Sequence, residues 1–360
     1  MNILHVHIEM STYGGIETFI ASLANEQAAM GHNVNVLSVF ATSGGPWDRL
    51  SPAVQKFTLG KSTEGFSIRY PIGIYKFIRR GQYDVVHVHG YIAYYALAVL
   101  GLHKKIHFVY TLHSDAFQEG NVWDHRLYRL KRFFFRHNWV TPVTISTPSE
   151  HSFEEYYGFQ ANMILNGITL PTLSSQIQRN PNELIIPARI SKVKNHLLLV
   201  RVVQRLVKEK YPIHLTIAGD VQDTSIMESF KPFLGPNIEY VGSVDDVTTR
   251  MQSAGALCMP SLWEGLPLTI LEALSCGCIP VCSPVGGIVE VIKDEYNGFL
   301  TTAPLQSDED SEELYLTALK RYLDLTEDAR AQMRRNAILT AQAFSMTQTA
   351  AHYLDLYNQP

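Results

Sequence analysis

Two carboxylates, Glu264 and Glu272, stand out in the segment Pro260-Ser261-Leu262-Trp263-Glu264-Gly265-Leu266-Pro267-Leu268-Thr269-Ile270-Leu271-Glu272-Ala273. Pro267 suits the first turn of a helix, so Glu264 precedes that helix and Glu272 lies inside it. Leu268, Ile270, Leu271, Ala273 and Leu274 surround Glu272 in sequence. A carboxylate among apolar neighbours is expensive unless it is paired or hydrogen-bonded to a ligand. Carboxylates that accept hydrogen bonds from hydroxyls are what a sugar and a ribose require, and a helix N-terminus between them would face a phosphate.

A second candidate group is cationic. Pro187-Ala188-Arg189-Ile190-Ser191-Lys192-Val193-Lys194-Asn195 places Arg189 and Lys194 in a loop between a strand and a helix. A guanidinium fork beside an ammonium point charge suits a diphosphate, although solvated loop charges explain the pair equally well. Tyr13-Gly14-Gly15-Ile16-Glu17 opens a helix after the first strand, where bare amides can receive phosphate. Its spacing is neither G-x-G-x-x-G nor a P-loop, so alone it reads as a plain turn. His87 and His89 share one face of a strand and read as surface or satisfied histidines. His113, in Thr111-Leu112-His113-Ser114, follows the next strand, where open α/β sheets build their sites.

The elements that must position these groups alternate between apolar runs and helical periods, the pattern of βαβ units on a parallel sheet. Strands are expected at Ile3–Ile8, Val34–Phe40, Val85–His89, Ile106–Leu112, Val143–Ser146 and Met163–Leu165, with helices at Ile16–Met30, Ile72–Arg80 and Trp123–His137. Pro171–Asn182 is polar, Pro-flanked and without period, and reads as a linker. The alternation then restarts with strands at Leu184–Pro187, His214–Ala218, Glu239–Val241, Leu257–Met259 and Ile279–Cys282. Helices are expected at Asn195–Lys208, Val247–Ser253, Pro267–Ser275 and from Ile288. Pro304–Glu313 reads as an acidic loop, followed by two helical stretches. The sequence therefore predicts two doubly wound Rossmann-like domains, residues 1–170 and 183–340, joined by the linker 171–182, with residues 341–360 a C-terminal helix able to cross back to the first domain.

Composition narrows the function classes. The chain has 360 residues, 46% of them hydrophobic, and a formal charge of −4, which removes the electrostatic footprint of a nucleic-acid binder. Eleven of the 14 histidines lie before residue 171, where the charge is +2, against −6 in the remainder. No apolar run approaches the ~18 residues of a bilayer span, and the N-terminus lacks the charged region of a signal peptide, so a cytoplasmic protein is expected. Cys258, Cys276, Cys278 and Cys282 cluster in one stretch and read as buried small hydrophobes rather than as a metal site. No Asp-x-Asp follows a strand, and Asp308-Glu309-Asp310 falls in the acidic loop, so no metal or other cofactor is expected.

Taken together, these motifs resemble the retaining family 4 glycosyltransferases of the GT-B fold. The resemblance rests on Glu264 and Glu272, Gly14-Gly15-Ile16-Glu17, Asp84-Val85-Val86-His87-Val88-His89, Thr111-Leu112-His113, Asn166-Gly167-Ile168, Arg189 with Lys194-Asn195, Gly277, Gly286-Gly287-Ile288-Val289-Glu290 and Asn297-Gly298. It implies two Rossmann-like domains facing a cleft and a nucleotide-sugar donor, preferably a UDP-sugar, delivered to a glycan or lipid-linked acceptor in polysaccharide synthesis. In that scheme Arg189 and Lys194 hold the diphosphate and Glu272 the ribose. Glu264 and the segment Gly265, Leu266, Pro267, Leu268 and Thr269 hold the donor. Gly14 and Gly15 approach the phosphates, and His113 lies beside the reacting sugar. Ala188 and Thr169 replace the family's usual Gly and Asp, and Gly219-Asp220 lacks a second Gly. An epimerase on the same fold, or a silent nucleotide-binding or sugar-binding protein, is the alternative. On the helix at 123–137, Arg126, Arg129, Arg132 and Arg136 share an arc of about 120°, fringed by Phe133 and Tyr128. This face suits an anionic inner membrane leaflet, or is simply a solvated helix.

Overall fold

The computed structural model describes the chain except for residues 12–13, 64, 118–125, 307 and 360. Its contacts divide it into two units, Met1–Thr169 with Ser345–Pro360, and Leu170–Phe344.

The first unit runs β1 (Asn2–His7), α1 (Gly15–Ala29), β2 (Asn33–Phe40), β3 (Gln55–Lys61), α2 (Arg69–Arg80), β4 (Val85–His89) and α3 (Ile92–Leu102). It continues through β5 (His107–Leu112), α4 (Tyr128–Arg136), β6 (Thr141–Thr144), α5 (Thr147–Tyr157) and β7 (Asn162–Met163). All seven strands are parallel, in the order β3-β2-β1-β4-β5-β6-β7. Alternation divides the central strands by face. Leu4, Val6, Val86 and Val88 join a core with Ile74, Ile78, Tyr95 and Val99 from α2 and α3. His5, His7, His87 and His89 take the other face, in register His5 with His87 and His7 with His89.

The second unit comprises β8 (Asn180–Pro187), α6 (His196–Lys208), β9 (His214–Ala218), α7 (Thr224–Phe230), β10 (Ile238–Tyr240), α8 (Val247–Ser253) and β11 (Ala254–Met259). After these come α9 (Leu268–Ser275), β12 (Ile279–Cys282), α10 (Ile288–Val291), β13 (Phe299–Leu300), α11 (Glu309–Leu323) and α12 (Glu327–Gln342). Its six parallel strands are ordered β10-β9-β8-β11-β12-β13. Leu184, Ile186, Leu199, Val203, Leu215 and Ile217 are central to its core. The last helix, α13 (Met346–Tyr357), belongs to the first unit and packs on α1.

Three expectations change. Strand β8 begins inside the supposed linker, because Asn180 already pairs with Ala254. Asp308-Glu309-Asp310 is exposed, as expected, but it opens a helix rather than lying in a loop. Asp308 caps α11 by accepting from Ser311 N at 2.9 Å, and acidic groups in the first turn complement the helix dipole. The helix expected at 123–137 is described as α4, and residues 123–125 lie outside the described residues.

Candidate functional site

In the second unit the strand order reverses between β8 and β11, the place where open α/β sheets bind ligands beyond their strand ends. The loop after β8 carries Arg189 and a short 3-10 turn, Lys192–Lys194; the loop after β11 carries Ser261 and Glu264. Lys194 Nζ donates to Glu264 Oε1 at 2.6 Å, and Glu264 is 8% exposed. Leu262 N donates to Val193 O at 2.8 Å, which stitches the loops together. Arg189 is exposed, with no ion-pair partner among the described residues.

Glycines support both loops. Gly219 has φ +146°, and a Cβ there would lie 2.2 Å from Ala188 O, against the backbone that leads into Arg189. Gly286 has φ +54°, and its Cβ would lie 1.8 Å from Glu264 O, while Gly287 N donates to Gly265 O at 2.7 Å. Asn195 ends the 3-10 turn in the left-handed region at φ +52°, a conformation its short amide side chain tolerates. Before α9, Leu266 and Leu268 are buried, so the segment Gly265, Leu266, Pro267, Leu268, Thr269 offers chiefly backbone. Pro267 is the N-cap of α9 and no side chain caps that end, so its amides are available to an anion. Glu272 lies half-buried within α9. Sequence reasoning missed the supporting role of Gly286-Gly287. It also missed Ser261, whose buried Oγ has no hydrogen-bond partner among the described residues. Beneath the cationic loop, burial pushes His196 down to about 4, with the Lys194 charge acting in the same direction.

All four cysteines are buried free thiols. Burial pushes Cys258 up to about 12 and Cys276 up to about 11, and the four thiols are packed as small buried groups.

The first unit reverses its order between β1 and β4. Here His87 and His89 are fully buried rather than surface groups. His89 Nδ1 lies 3.0 Å from Nε2 of His113, and His89 Nε2 lies 3.1 Å from Nδ1 of His5. His5 Nε2 lies 2.8 Å from Gln27 Oε1. His5, His87 and His89 bring ring nitrogens within 4.8 Å of one another, a spacing three ligands of one cation could share. Their ring nitrogens already have hydrogen-bond partners, however, so the group is a polar chain rather than a vacant ligand set. A Cβ on Gly14 would meet only the end of the flexible Glu17 side chain, and a Cβ on Gly15 meets nothing within 4 Å, so neither glycine is required by packing. Tyr13 lies outside the described residues.

Arg129 and Arg136 of α4 and Arg126 just before it are exposed, and Phe133 is 41% exposed. Arg132 departs from the expected face: it is half-buried and donates from Nε to Tyr157 O at 2.7 Å. A groove of about 780 Å³ runs beside this helix, lined by Tyr128, Arg129, Arg132, Phe133 and Arg136 among others. Among the described residues, no helix is long and apolar enough to cross a membrane.

Residues 13–170 match the Glycosyltransferase Family 4 family, and residues 173–340 match Glycosyl transferases group 1. An Escherichia coli UDP-Gal:alpha-D-GlcNAc-diphosphoundecaprenol alpha-1,3-galactosyltransferase is 23% identical over 333 residues, covering 83% of this chain and 84% of that protein. Anabaena Alr3699/HepE, solved in complex with UDP and glucose, has a TM-score of 0.77 at 17% identity, covering 100% of both chains. WaaG, a glycosyltransferase involved in lipopolysaccharide biosynthesis, has a TM-score of 0.75 at 14% identity, covering 99% of this chain and 100% of that one. With two parallel sheets of this topology and family matches that span both units, the chain belongs to the group 1, family 4 glycosyltransferases and has the GT-B fold.

Proposed function

We propose that this glycosyltransferase moves a sugar from a UDP-sugar to a lipid-linked or glycan acceptor with retention of anomeric configuration, in the synthesis of a surface polysaccharide. The observation that carries the reading is the Lys194–Glu264 pair at the β8/β11 switch point, beside exposed Arg189. An ammonium has three donors, so Lys194 can keep Glu264 and hold a phosphate oxygen at the same time. Arg189 supplies the second cation, and the amides that open α9 the third source of positive potential. These groups meet the charge of the departing diphosphate, so the reaction needs no metal. Glu264, oriented by Lys194, accepts from hydroxyls of the donor sugar, and Glu272 from those of the ribose. His113 is assigned to the reacting sugar and Gly14 with Gly15 to the phosphates by the family resemblance; open space around Gly15 fits close approach of a ligand. The acceptor hydroxyl attacks from the face that the diphosphate leaves, and a phosphate oxygen takes its proton.

UDP as the nucleotide is supported by the UDP bound to Alr3699/HepE and by the UDP-Gal donor of the E. coli relative, whose acceptor is linked to diphosphoundecaprenol. A lipid-linked acceptor has to be met at a membrane. Arg126, Arg129 and Arg136 with Phe133 form the face of the first unit suited to an anionic cytoplasmic leaflet. The deciding experiment is a nucleotide-sugar panel measured by calorimetry, followed by product analysis with undecaprenyl-diphosphate-linked acceptors in buffer containing a chelator. Binding of a UDP-sugar and chelator-resistant transfer are expected. Failure of every nucleotide sugar to bind, or transfer abolished by the chelator, contradicts the scheme.

A further inference from the structure

Helices α2, α3 and α4 cover one face of the first sheet. Ile74, Val99 and Phe134, one from each helix, join a single core with Val86 and Val88. The Tyr75 ring of α2 lies against Gly101 of α3. At the other side, His103 at the end of α3 stacks on Trp139 with centroids 3.7 Å apart, and Trp139 packs on Phe133 of α4. Helix α3 is therefore the middle of the three. Its sequence, IAYYALAVLGL, is apolar all round, and a helix of that kind is normally buried all round. Here one side meets solvent: Leu97 is 37% exposed and Leu100 49%, and the two lie about 60° apart around the helix.

Cations flank that apolar side. On α2 the exposed residues Arg69, Ile72, Lys76, Arg79 and Arg80 share an arc of about 100°. Lys104 and Lys105 follow the last turn of α3, and Arg129 and Arg136 stand on α4. None of the three helices contains an Asp or a Glu. The exposed cations of α2, with Lys104 and Lys105, make no ion pair among the described residues. In the second unit the corresponding groups are answered: Arg201 pairs with Glu312, Arg205 with Glu313 and Lys320 with Glu209. The helix dipole accounts for cations in a last turn, as at Arg79, Arg80 and Arg136. It does not account for Arg69 and Arg129, which sit in first turns, where a cation opposes the dipole.

We propose that α3 is a membrane-inserting helix: Leu97 and Leu100 enter the headgroup boundary of an anionic bilayer while the cations of α2 and α4 meet lipid phosphates on either side. Exposed leucines alone are ordinary. The flanking cations without a compensating acid are what select an anionic lipid surface, and the same charges would repel a second copy of this face. The inference deepens the docking proposed for α4 and rests on the reading that the acceptor is met at a membrane.

The test uses the full chain and vesicles of phosphatidylglycerol and phosphatidylcholine in equal parts, against phosphatidylcholine alone. Binding to the anionic vesicles only is expected. Leu97→Ser combined with Leu100→Ser alters exposed positions, so the melting temperature should hold while vesicle binding weakens about tenfold, by the same factor at low and high salt. Lys76→Glu combined with Arg79→Glu should weaken binding about tenfold or more at low salt, a difference that fades at high salt. The native thiols are buried, so a bimane label can be placed on Leu100→Cys. Its fluorescence should be quenched by lipids brominated on their acyl chains. Absence of binding to anionic vesicles, wild-type binding in the leucine double variant, or a bound protein whose label is not quenched overturns the proposal. A concentration-dependent dimer in sedimentation velocity that the leucine double variant abolishes assigns this side to a second copy and also overturns it. None of these readouts needs a nucleotide sugar, so their failure and a failure of the transferase reading are separate results.

Discussion

The two sheets reverse their strand order at equivalent positions, between β1 and β4 and between β8 and β11, and the residues gathered there differ in kind. At β8/β11 a buried carboxylate is tied to an ammonium beside an exposed guanidinium. At β1/β4 the buried groups are neutral imidazoles, each satisfied by another ring, an amide or a hydroxyl. One architecture therefore supports two local chemistries: a paired fixed charge at one switch point, and a buried network of neutral hydrogen bonds at the other.

The largest effects should come from breaking each region at its reacting end. Glu264→Ala and His113→Ala are each expected to lower turnover about a hundredfold or more. His113→Ala should leave UDP affinity unchanged, because the residues assigned to the nucleotide, Arg189, Lys194 and Glu272, belong to the second unit. Initial rates alongside calorimetry separate the two, and near-normal turnover in both variants contradicts the assignments.

Acid should sharpen the contrast. His5, His87, His89 and His113 all titrate below their ordinary value because burial penalises the charged form, whereas the second unit has only His196 so displaced among the described residues. A histidine with a lowered folded pKa takes its proton first in the unfolded chain. Its contribution is whole above 6.5 and is lost as the pH falls toward about 4. For fully buried His5 this amounts to roughly 3 kcal/mol. Thermal unfolding followed from pH 7.5 to 5 should show the first unit melting earlier as the pH drops; a pH-independent transition argues against neutral burial.

Glycine substitutions give a smaller effect and separate support from ligand approach. Gly219→Ala adds a Cβ against Ala188 O at positive φ and should destabilise the second unit by about 2 kcal/mol while weakening UDP binding. Gly15→Ala has open space and a helical position, so the melting temperature should hold or rise slightly, yet UDP-sugar turnover should fall. Full activity in Gly15→Ala would show that no ligand approaches there.

The smallest effect concerns α4. Each arginine near an anionic surface is worth about 1 kcal/mol, so reversing Arg126 and Arg129 to Glu should lower binding to anionic vesicles at low salt and leave neutral vesicles unaffected. Equal, negligible sedimentation with both vesicle types identifies a merely solvated helix.

Much of this was legible because periodicity reports burial. The strand ends that carry Arg189, Glu264 and His113 follow apolar runs, and these candidate residues could be located from those boundaries. What was missed had no such signal. Strand β3, QKFTLGK, is an edge strand with mostly exposed side chains, so no apolar run marks it. Helix α3, IAYYALAVLGL, is apolar on nearly every side, which erases the helical period. Helix α5 did carry a signal, with Ser146 capping Ser149 N and Pro148 in its first turn. The Lys194–Glu264 pair joins residues 70 apart, and its partners become visible only once β8 and β11 are neighbours. The histidine chain likewise needs β1 beside β4 and α13 folded onto α1.

The central claim is that the charged switch point of the second unit holds a nucleoside diphosphate, and calorimetric titration of UDP tests it most directly. Arg189→Ala should weaken binding by roughly ten- to a hundredfold, corresponding to about 1.5–3 kcal/mol for a charge-assisted contact, with the melting temperature unchanged because Arg189 is exposed. Lys194→Ala should weaken binding by a similar factor and also lower the melting temperature, because it strands the buried Glu264 carboxylate. Wild-type affinity for UDP in both folded variants would contradict the account.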